Sequence, residues 1–337
     1  IGALELWHGP SLAFKDFGAR FMAALMSYFI KNENQNTTIL VATSGDTGGA
    51  VAAGFYKTPG IEVIILYPSG KVSDLQEKQL TTLGENITAV EIEGTFDDCQ
   101  ALVKEAFLDS ELNKKYHLSS ANSINIARLI PQSFYYFEAY KQIKKYGKEV
   151  VFSVPSGNFG NLTAGLMAKR MGLPVKRFIA ATNINKIVPE YLSSGIYNPK
   201  PSQATISNAM DVGNPSNFVR ILDLYNKDFV AISKDVSGFW LDDNETKEAM
   251  KEAYQKYRYI CDPHGAIGYK SLHNLDANEI GLFLETAHPA KFLDTVESTL
   301  DIKIEIPEGL ASIADKTKQA IKMESDFQSF KSYLLLR

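Results

Sequence analysis

The sequence predicts an α/β protein with mostly parallel sheets in two domains. Three observations carry that expectation. The chain has 337 residues, more than one typical core holds. Apolar, β-branched runs alternate with helical patterns along most of it, which is the mark of strand–helix–strand units. The theme appears twice, each time with a Gly-rich turn between a strand and a helix.

The elements follow in order. Phe17, Phe21, Leu25, Tyr28 and Phe29 recur at helical spacing and predict a helix with those side chains on its buried face. Lys15 then stands at or just before the helix N-terminus. TTILVAT (37–43) predicts a strand, SGDTGG (44–49) a turn, and AVAAGFYK (50–57) a helix that stops near Pro59 and Gly60. IEVIILYP (61–68) is the next strand, followed by a polar helix around 74–84. ITAVEIEG (87–94) is another strand. The helix after it has Thr95 as N-cap and Asp97 and Asp98 in its first turn. A long helix is expected over 124–147, kinked at Pro131. EVVFSVP (149–155) is a strand, SGNFGN (156–161) a turn and LTAGLMAKRMG (162–172) a helix, with a further strand in 173–182. Residues 193–218 are rich in Pro, Ser, Asn and Gly and read as a long loop, with 193–217 a candidate lid. The domains expected are 18–145, smaller, and 146–337 with 1–17, larger.

Composition narrows the function classes. The chain is 45% hydrophobic and 22% charged, with a net charge of -4. A mildly acidic chain gives no electrostatic case for nucleic acid or an anionic membrane surface. The basic cluster KQIKKYGK (141–148) suits the last turn of a helix, with Gly147 as its cap. Two cysteines, Cys99 and Cys261, form no CxxC pattern, which excludes a disulfide scaffold and a Cys-rich zinc site. The five histidines show no HExxH and predict no metal; His264 and His288 read as turn or packing residues. No GxSxG elbow supports a hydrolase triad.

Three features point to chemistry. In SGNFGN, Gly157 and Gly160 allow close backbone approach to a ligand, and amides at the following helix start point outward. Asn158 and Asn161 can add side-chain donors. Taken alone, this turn fits a phosphate cradle or a plain strand-to-helix turn. SGDTGG offers the Ser44 and Thr47 hydroxyls and a second helix N-terminus, suited to a carboxylate. Asp46 is out of place there unless it turns away or binds something else. Neither turn fits GxGxxG, so a dinucleotide is a poor match. Lys15 has apolar neighbours and a helix N-terminus beside it, and both lower an ammonium's pKa. A lysine that is neutral part of the time is a nucleophile toward aldehydes. Together the three features suggest pyridoxal phosphate.

LAFKDFG, TSGDTGGA, YPSGKVSDLQEKQL, NSINIAR, PSGNFGN, AMDVGNPSNF, DPHGAIG and TAHPAKF, in this order from Leu4 to about Phe292, resemble threonine synthase. That family belongs to the fold type II, tryptophan synthase β-like pyridoxal phosphate enzymes. The resemblance implies a site between two domains and a Schiff base between the cofactor and Lys15. It implies that Gly157, Asn158, Phe159, Gly160 and Asn161 hold the cofactor phosphate and Thr286 its pyridine nitrogen. Ser44, Gly45 and Thr47 would hold the substrate carboxylate, with Asp46 near the cofactor 3'-oxygen. Asn125 and Arg128 would take the substrate's own phosphate. The implied reaction is O-phospho-L-homoserine plus water to L-threonine and phosphate. The alternatives are a related lyase, such as a threonine or serine dehydratase or a phospholyase, or an inactive cofactor-binding homologue. The expected partner is that small-molecule substrate, in a cytoplasmic monomer or homodimer, unless an organelle-targeting segment has been removed. Family members normally carry a whole segment before this lysine. Only fourteen residues precede Lys15 here, so a fragment is expected.

Overall fold

The computed structural model describes residues 1–33, 36–122 and 125–337. Ser123 and Ile124 of the NSINIAR motif lie outside them. Among the described residues there are two five-stranded sheets. The strands are β1 (Gly2–Glu5), β2 (Thr37–Ala42), β3 (Ile61–Pro68), β4 (Ile87–Glu93), β5 (His117–Ser120), β6 (Glu149–Pro155), β7 (Arg177–Thr182), β8 (Val236–Trp240), β9 (Glu279–Glu285) and β10 (Ile321–Glu324). The chain divides into two compact units: Ile1–His8 with Leu129–Glu305, and Gly9–Arg128 with Ile306–Arg337.

In the first unit the strand order is β1-β9-β6-β7-β8, and every pairing is parallel. Such a sheet is covered on both faces, so its strands read as continuous apolar runs. β6 bears this out, with Val150, Val151, Phe152 and Val154 all buried. In the second unit the order is β10-β4-β3-β2-β5, again all parallel. Alternate residues point to opposite faces. Ile39, Val41, Val63 and Ile65 therefore enter one apolar cluster, and Leu40, Ala42, Ile64 and Leu66 enter another.

Three expectations give way to the structure. The helix Lys15–Glu33 forms, but Phe17, Phe21, Leu25, Tyr28 and Phe29 are exposed, and Ala19, Met22 and Ala23 are buried instead. Small residues win that face because the neighbouring helix Asp46–Phe55 comes close. A Cβ on its Gly54 would lie 3.1 Å from the Ala19 carbonyl carbon. The helix expected over 124–147 is two helices, Ile126–Leu129 and Gln132–Ile143, with Pro131 as the N-cap of the second. Proline has no N–H to continue the first helix, so the ladder breaks rather than kinks.

The third difference concerns the C-terminal stretch. Residues 306–337 fold with 9–128 rather than with the 149–285 sheet. Strand β10 adds to β4 in register, Met323 opposite Ile92. Phe330 and Leu334 then pack with Leu102 and Val103. Among the described residues no helix is long and apolar enough to cross a membrane.

Candidate active site

Ligands of open parallel sheets sit beyond the carboxyl ends of the strands. Each unit places candidate residues there.

In the second unit β2 ends at Ala42 and its neighbour β5 at Ser120, with Leu40 opposite Ser120. Asn122 ties the two exits together. Its Nδ2 donates to the Ala42 carbonyl at 2.7 Å, and its Oδ1 accepts from the Ala42 N–H at 3.2 Å. After β2, Thr43 Oγ1 accepts from the N–H groups of Gly45 (3.0 Å) and Gly48 (2.7 Å). That folds the SGDT turn back on itself. Gly45 has φ +133°, a conformation that strains any residue with a Cβ. The helix Asp46–Phe55 starts directly after it. The Ser44 and Thr47 hydroxyls are half-buried and bonded to no described residue, which leaves them open to a ligand at a helix N-terminus. Asp46 is buried, and its Oδ1 accepts from Gln76 Nε2 at 2.9 Å.

After β5, Asn125 uses its amide locally. Its Oδ1 accepts from the Ala127 N–H at 3.0 Å, and its Nδ2 donates to the Ser120 carbonyl at 3.0 Å. Arg128 is fully buried, and its Nη1 donates to the Ala121 carbonyl. Burial pulls its pKa down to about 10, against the opposing effect of Asp16. A buried guanidinium in that condition gains from an anion. It also lies against the lysine's helix, since a Cβ on Gly18 would come within 2.8 Å of Arg128 Nε.

Lys15 is the first residue of the helix Lys15–Glu33. The loop before it is fastened: the Ser11 N–H donates to Asp16 Oδ2 at 2.9 Å, and Gln79 Nε2 donates to the Ser11 carbonyl at 3.0 Å. The Lys15 ammonium stands 4.7 Å from the centre of the Phe14 ring and has no hydrogen-bond acceptor among the described residues. Burial, then the charge of Arg128, bring its pKa down to about 8, against the opposing pull of Asp46. The apolar setting of Lys15 in the chain is reason enough to expect a depressed lysine. The larger partner charge, Arg128, lies far along the chain and was not visible there.

In the first unit β6 and β9 are neighbours, with Ser153 opposite Phe283. Thr286 directly follows β9, and Ser156 directly follows β6. Thr286 is 6% exposed, and its hydroxyl meets no described partner. The SGNFGN turn is held by its own side chains. Asn161 Nδ2 donates to the Pro155 carbonyl at 2.8 Å, and its Oδ1 accepts from the Leu162 N–H at 2.9 Å and from the Ser156 hydroxyl. Asn158 Oδ1 accepts from the N–H (3.0 Å) and hydroxyl (3.1 Å) of Ser216. The two asparagines therefore shape the cradle and pin the 214–217 segment to it. The donors left for a ligand are the Asn158 Nδ2 amide, which meets no described acceptor, and backbone N–H groups. The N–H groups of Gly157, Asn158, Phe159 and Gly160 have no acceptor among the described residues, and the helix Gly160–Arg170 begins there. Phe159 has φ +59°, which turns consecutive amides to one side. Gly157 is tightly fitted, because a Cβ would lie 2.6 Å from the Ala209 carbonyl oxygen and 2.8 Å from Met210 Cα.

The sequence reading passed over one group. Asp262 caps the helix Pro263–Ser271, and its Oδ1 lies 2.5 Å from His264 Nδ1. His264 Nε2 accepts from the Ala209 N–H at 3.2 Å, so the ring carries its proton on Nδ1. This braces the segment that Gly157 packs against. Asp followed by Pro at the first helical position was the available signal. Among the described residues no cluster could hold a metal ion.

Taken unit by unit, the first offers open backbone amides at 157–160 and an open Thr286 hydroxyl, donors of the kind a phosphate and a ring nitrogen take. The second offers the open Ser44 and Thr47 hydroxyls and, at Lys15, an amine of depressed pKa, of the kind that reacts with an aldehyde. Comparisons with known proteins agree. A family model described as pyridoxal-phosphate dependent enzyme matches residues 4–282, and one described as threonine synthase, C-terminal, matches 265–334. Threonine synthase of Haemophilus influenzae is 52% identical over 337 residues, covering 99% of this chain and 78% of its own. The crystal structure of threonine synthase from Escherichia coli superposes with a TM-score of 0.94 at 49% identity, covering 99% of this chain and 78% of that one. A PLP-bound threonine synthase from Brucella melitensis gives 0.90 at 36% identity, covering 98% and 77%.

Proposed function

The chain belongs to the threonine synthase family of pyridoxal-phosphate-dependent enzymes, and from that premise we propose how its residues carry the reaction. The substrate is O-phospho-L-homoserine, which with water gives L-threonine and phosphate. The observation that carries this reading is Lys15: a lysine held near pKa 8 with no described acceptor.

The cofactor, when bound, supplies an aldehyde for that amine and a ring that spreads carbanion charge. Lys15 is the amine it takes. The open amides of Gly157, Asn158, Phe159 and Gly160 hold its phosphate, with Asn161 setting their direction. The Thr286 hydroxyl would serve as partner to its pyridine nitrogen, and a neutral partner would not favour protonation there. Asp46 would be the residue for its 3'-oxygen. The Ser44 and Thr47 hydroxyls, with Gly45 allowing close approach, hold the substrate carboxylate. Arg128 takes the substrate phosphate, with Asn125 building the turn that carries it. Lys15 Nζ removes the α-proton and moves protons at the β- and γ-carbons. Phosphate leaves from the γ-carbon, and water adds at the β-carbon. A base that both takes and returns protons works best with a pKa near the working pH.

Arg128 separates this reading from a dehydratase, which needs no second anion site. The test is phosphate release from O-phospho-L-homoserine alongside ammonia release from threonine or serine. Phosphate with equimolar threonine is expected. Ammonia and a keto acid without phosphate release would overturn it. Two buried, unpaired cysteines support a reducing compartment, hence a cytoplasmic enzyme.

A further inference from the structure

The reaction proposed for this chain uses no side chain of AMDVGNPSNF (209–218). Within the first unit that stretch walls the SGNFGN turn. A Cβ on Gly157 would lie 2.6 Å from the Ala209 carbonyl oxygen, 2.8 Å from Met210 Cα and 3.1 Å from Val212 Cγ2. A buried polar cluster at the exit of the neighbouring strand holds the wall. β6 and β7 run side by side, and the Ser156 N–H donates to the Ala181 carbonyl at 3.0 Å. β6 leads into the SGNFGN turn, and β7 leads through Thr182 into Asn183, which is 1% exposed. Asn183 Oδ1 accepts from the Asn185 N–H at 2.9 Å. A backbone N–H can only donate, so this bond fixes which end of the amide faces the wall. Asn183 Nδ2 donates to Thr205 Oγ1 at 2.8 Å and to Asp211 Oδ1 at 2.9 Å. Thr205 closes the ring: its hydroxyl donates to Asp211 Oδ1 at 2.7 Å and its N–H to Asp211 Oδ2 at 2.9 Å. Between these two anchors lies the short 3-10 turn Asn208–Met210, where the Met210 N–H donates to the Ser207 carbonyl at 2.9 Å.

We propose that Asn183 is a positioning residue for the cofactor phosphate: through Thr205 and Asp211 it fixes the 205–211 segment as the wall that seats Gly157, and so aims the open amides of 157–160. Every link is a direct contact. Asn183 bonds Thr205 and Asp211, these bracket Ala209 and Met210, and the backbone of those two meets Gly157. Backbone against backbone leaves no rotamer to absorb a displacement, so a wall that moves takes the turn with it. A second tether runs the same way, since the Ser216 N–H donates to Asn158 Oδ1 at 3.0 Å. A satisfied polar ring specifies one geometry, where an apolar contact would let the segment slide. Removing one member leaves buried partners short of a bond, and that cost falls on the wall. The inference rests on reading SGNFGN as a phosphate cradle.

The experiment titrates pyridoxal phosphate into the cofactor-stripped full chain. Fluorescence gives the dissociation constant, phosphorus NMR gives the resonance of the bound phosphate, and thermal unfolding gives stability. Asn183→Leu removes the amide without adding charge. Its dissociation constant should rise about tenfold or more, and the bound resonance should move, because the amides around the phosphate have moved. Thr205→Val deletes one hydroxyl of the ring at nearly constant shape and should raise the constant about threefold, with a smaller shift of the resonance. Thr205→Ser keeps the hydroxyl and should stay within about twofold of wild type. Thr95→Ala, a cap in the other unit, should lose stability and leave both cofactor readouts alone. A merely structural ring predicts that Asn183→Leu and Thr205→Val behave like Thr95→Ala: lower stability, an unmoved resonance and affinity within about twofold. That result overturns the proposal and leaves the functional reading standing. Should Asn183→Leu not fold, the Thr205 pair decides, since equal behaviour of Thr205→Val and Thr205→Ser contradicts a path through that hydroxyl. A wild-type chain with no bound resonance would sink the functional reading and this inference together.

Discussion

Gly157→Ala is the sharpest steric test of the phosphate cradle. The added methyl carbon would sit 2.6 Å from the Ala209 carbonyl oxygen, 2.8 Å from Met210 Cα and 3.1 Å from Val212 Cγ2. The first two are backbone atoms, so no rotamer change relieves them. Either the 208–210 segment retreats by about half an ångström or the SGNFGN turn does. Overpacking of this kind costs about 1–3 kcal/mol, or about five- to 150-fold in an equilibrium constant. His264 and Asp262 brace the 208–210 segment from behind, so most of the shift falls on the turn and on its amides. Two assays divide the outcome. Thermal unfolding of the stripped chain should fall by about 2–9 °C. The dissociation constant for pyridoxal phosphate, from fluorescence titration, should rise at least tenfold. Gly309→Ala is the control, since a Cβ there meets nothing within 4 Å, and both readouts should hold. A Gly157→Ala protein that loses stability but binds the cofactor within twofold of wild type would refute the cradle.

Other outcomes follow from single residues. Arg128→Met removes a charge that lowers the Lys15 pKa, so the acidic limb of kcat/KM, where the amine must lose its proton to act, should move to higher pH while KM for the phosphorylated substrate rises at least tenfold. Glu285 is fully buried, and burial, then Asp262, push its carboxyl well above the usual carboxylate range. The folded state therefore holds a proton that the unfolded chain releases, and its stability declines as pH rises above the usual carboxylate pKa. Glu285→Gln abolishes that decline, so its Tm should gain on wild type on going from about pH 5 to about pH 8. Equal Tm differences at both values would contradict a neutral Glu285. Thr95→Ala breaks a reciprocal cap in which Thr95 Oγ1 accepts from the Asp98 N–H and Asp98 Oδ2 accepts from the Thr95 N–H. Urea unfolding should show a loss of about 1 kcal/mol with the activity of the folded enzyme unchanged.

Much of this architecture was legible because parallel strands covered on both faces leave unbroken apolar runs. EVVFSVP, IEVIILYP and TTILVAT name their strands without help, and a Gly-rich turn marks where two of them end. The short strands β1, β5, β8 and β10 were not legible, since four or five residues with mixed polarity carry no period. The Lys15–Glu33 helix misled for a different reason. Its larger side chains define an apolar stripe, but close packing on the Asp46–Phe55 helix selected the alanine side, and hydrophobicity does not report which stripe a neighbour can approach. At the site, the turn glycines and Lys15 were readable from local context. Asn161 and Asn125 bond within their own turns, while Asn158 accepts from Ser216, far along the chain, and composition alone does not report any of these pairings. Gln76, Arg128 and the Asp262–His264 pair act across 30 or more residues, and no single window of sequence contains both partners.

The central claim is that one lysine, Lys15, takes the cofactor. The direct measurement is visible absorbance of the purified protein with pyridoxal phosphate, then borohydride reduction and peptide mapping. A yellow protein that bleaches on reduction and carries the pyridoxyl adduct on the Lys15 peptide is the predicted result. An adduct on any other lysine, or a protein that stays colourless with the cofactor supplied, would contradict the account.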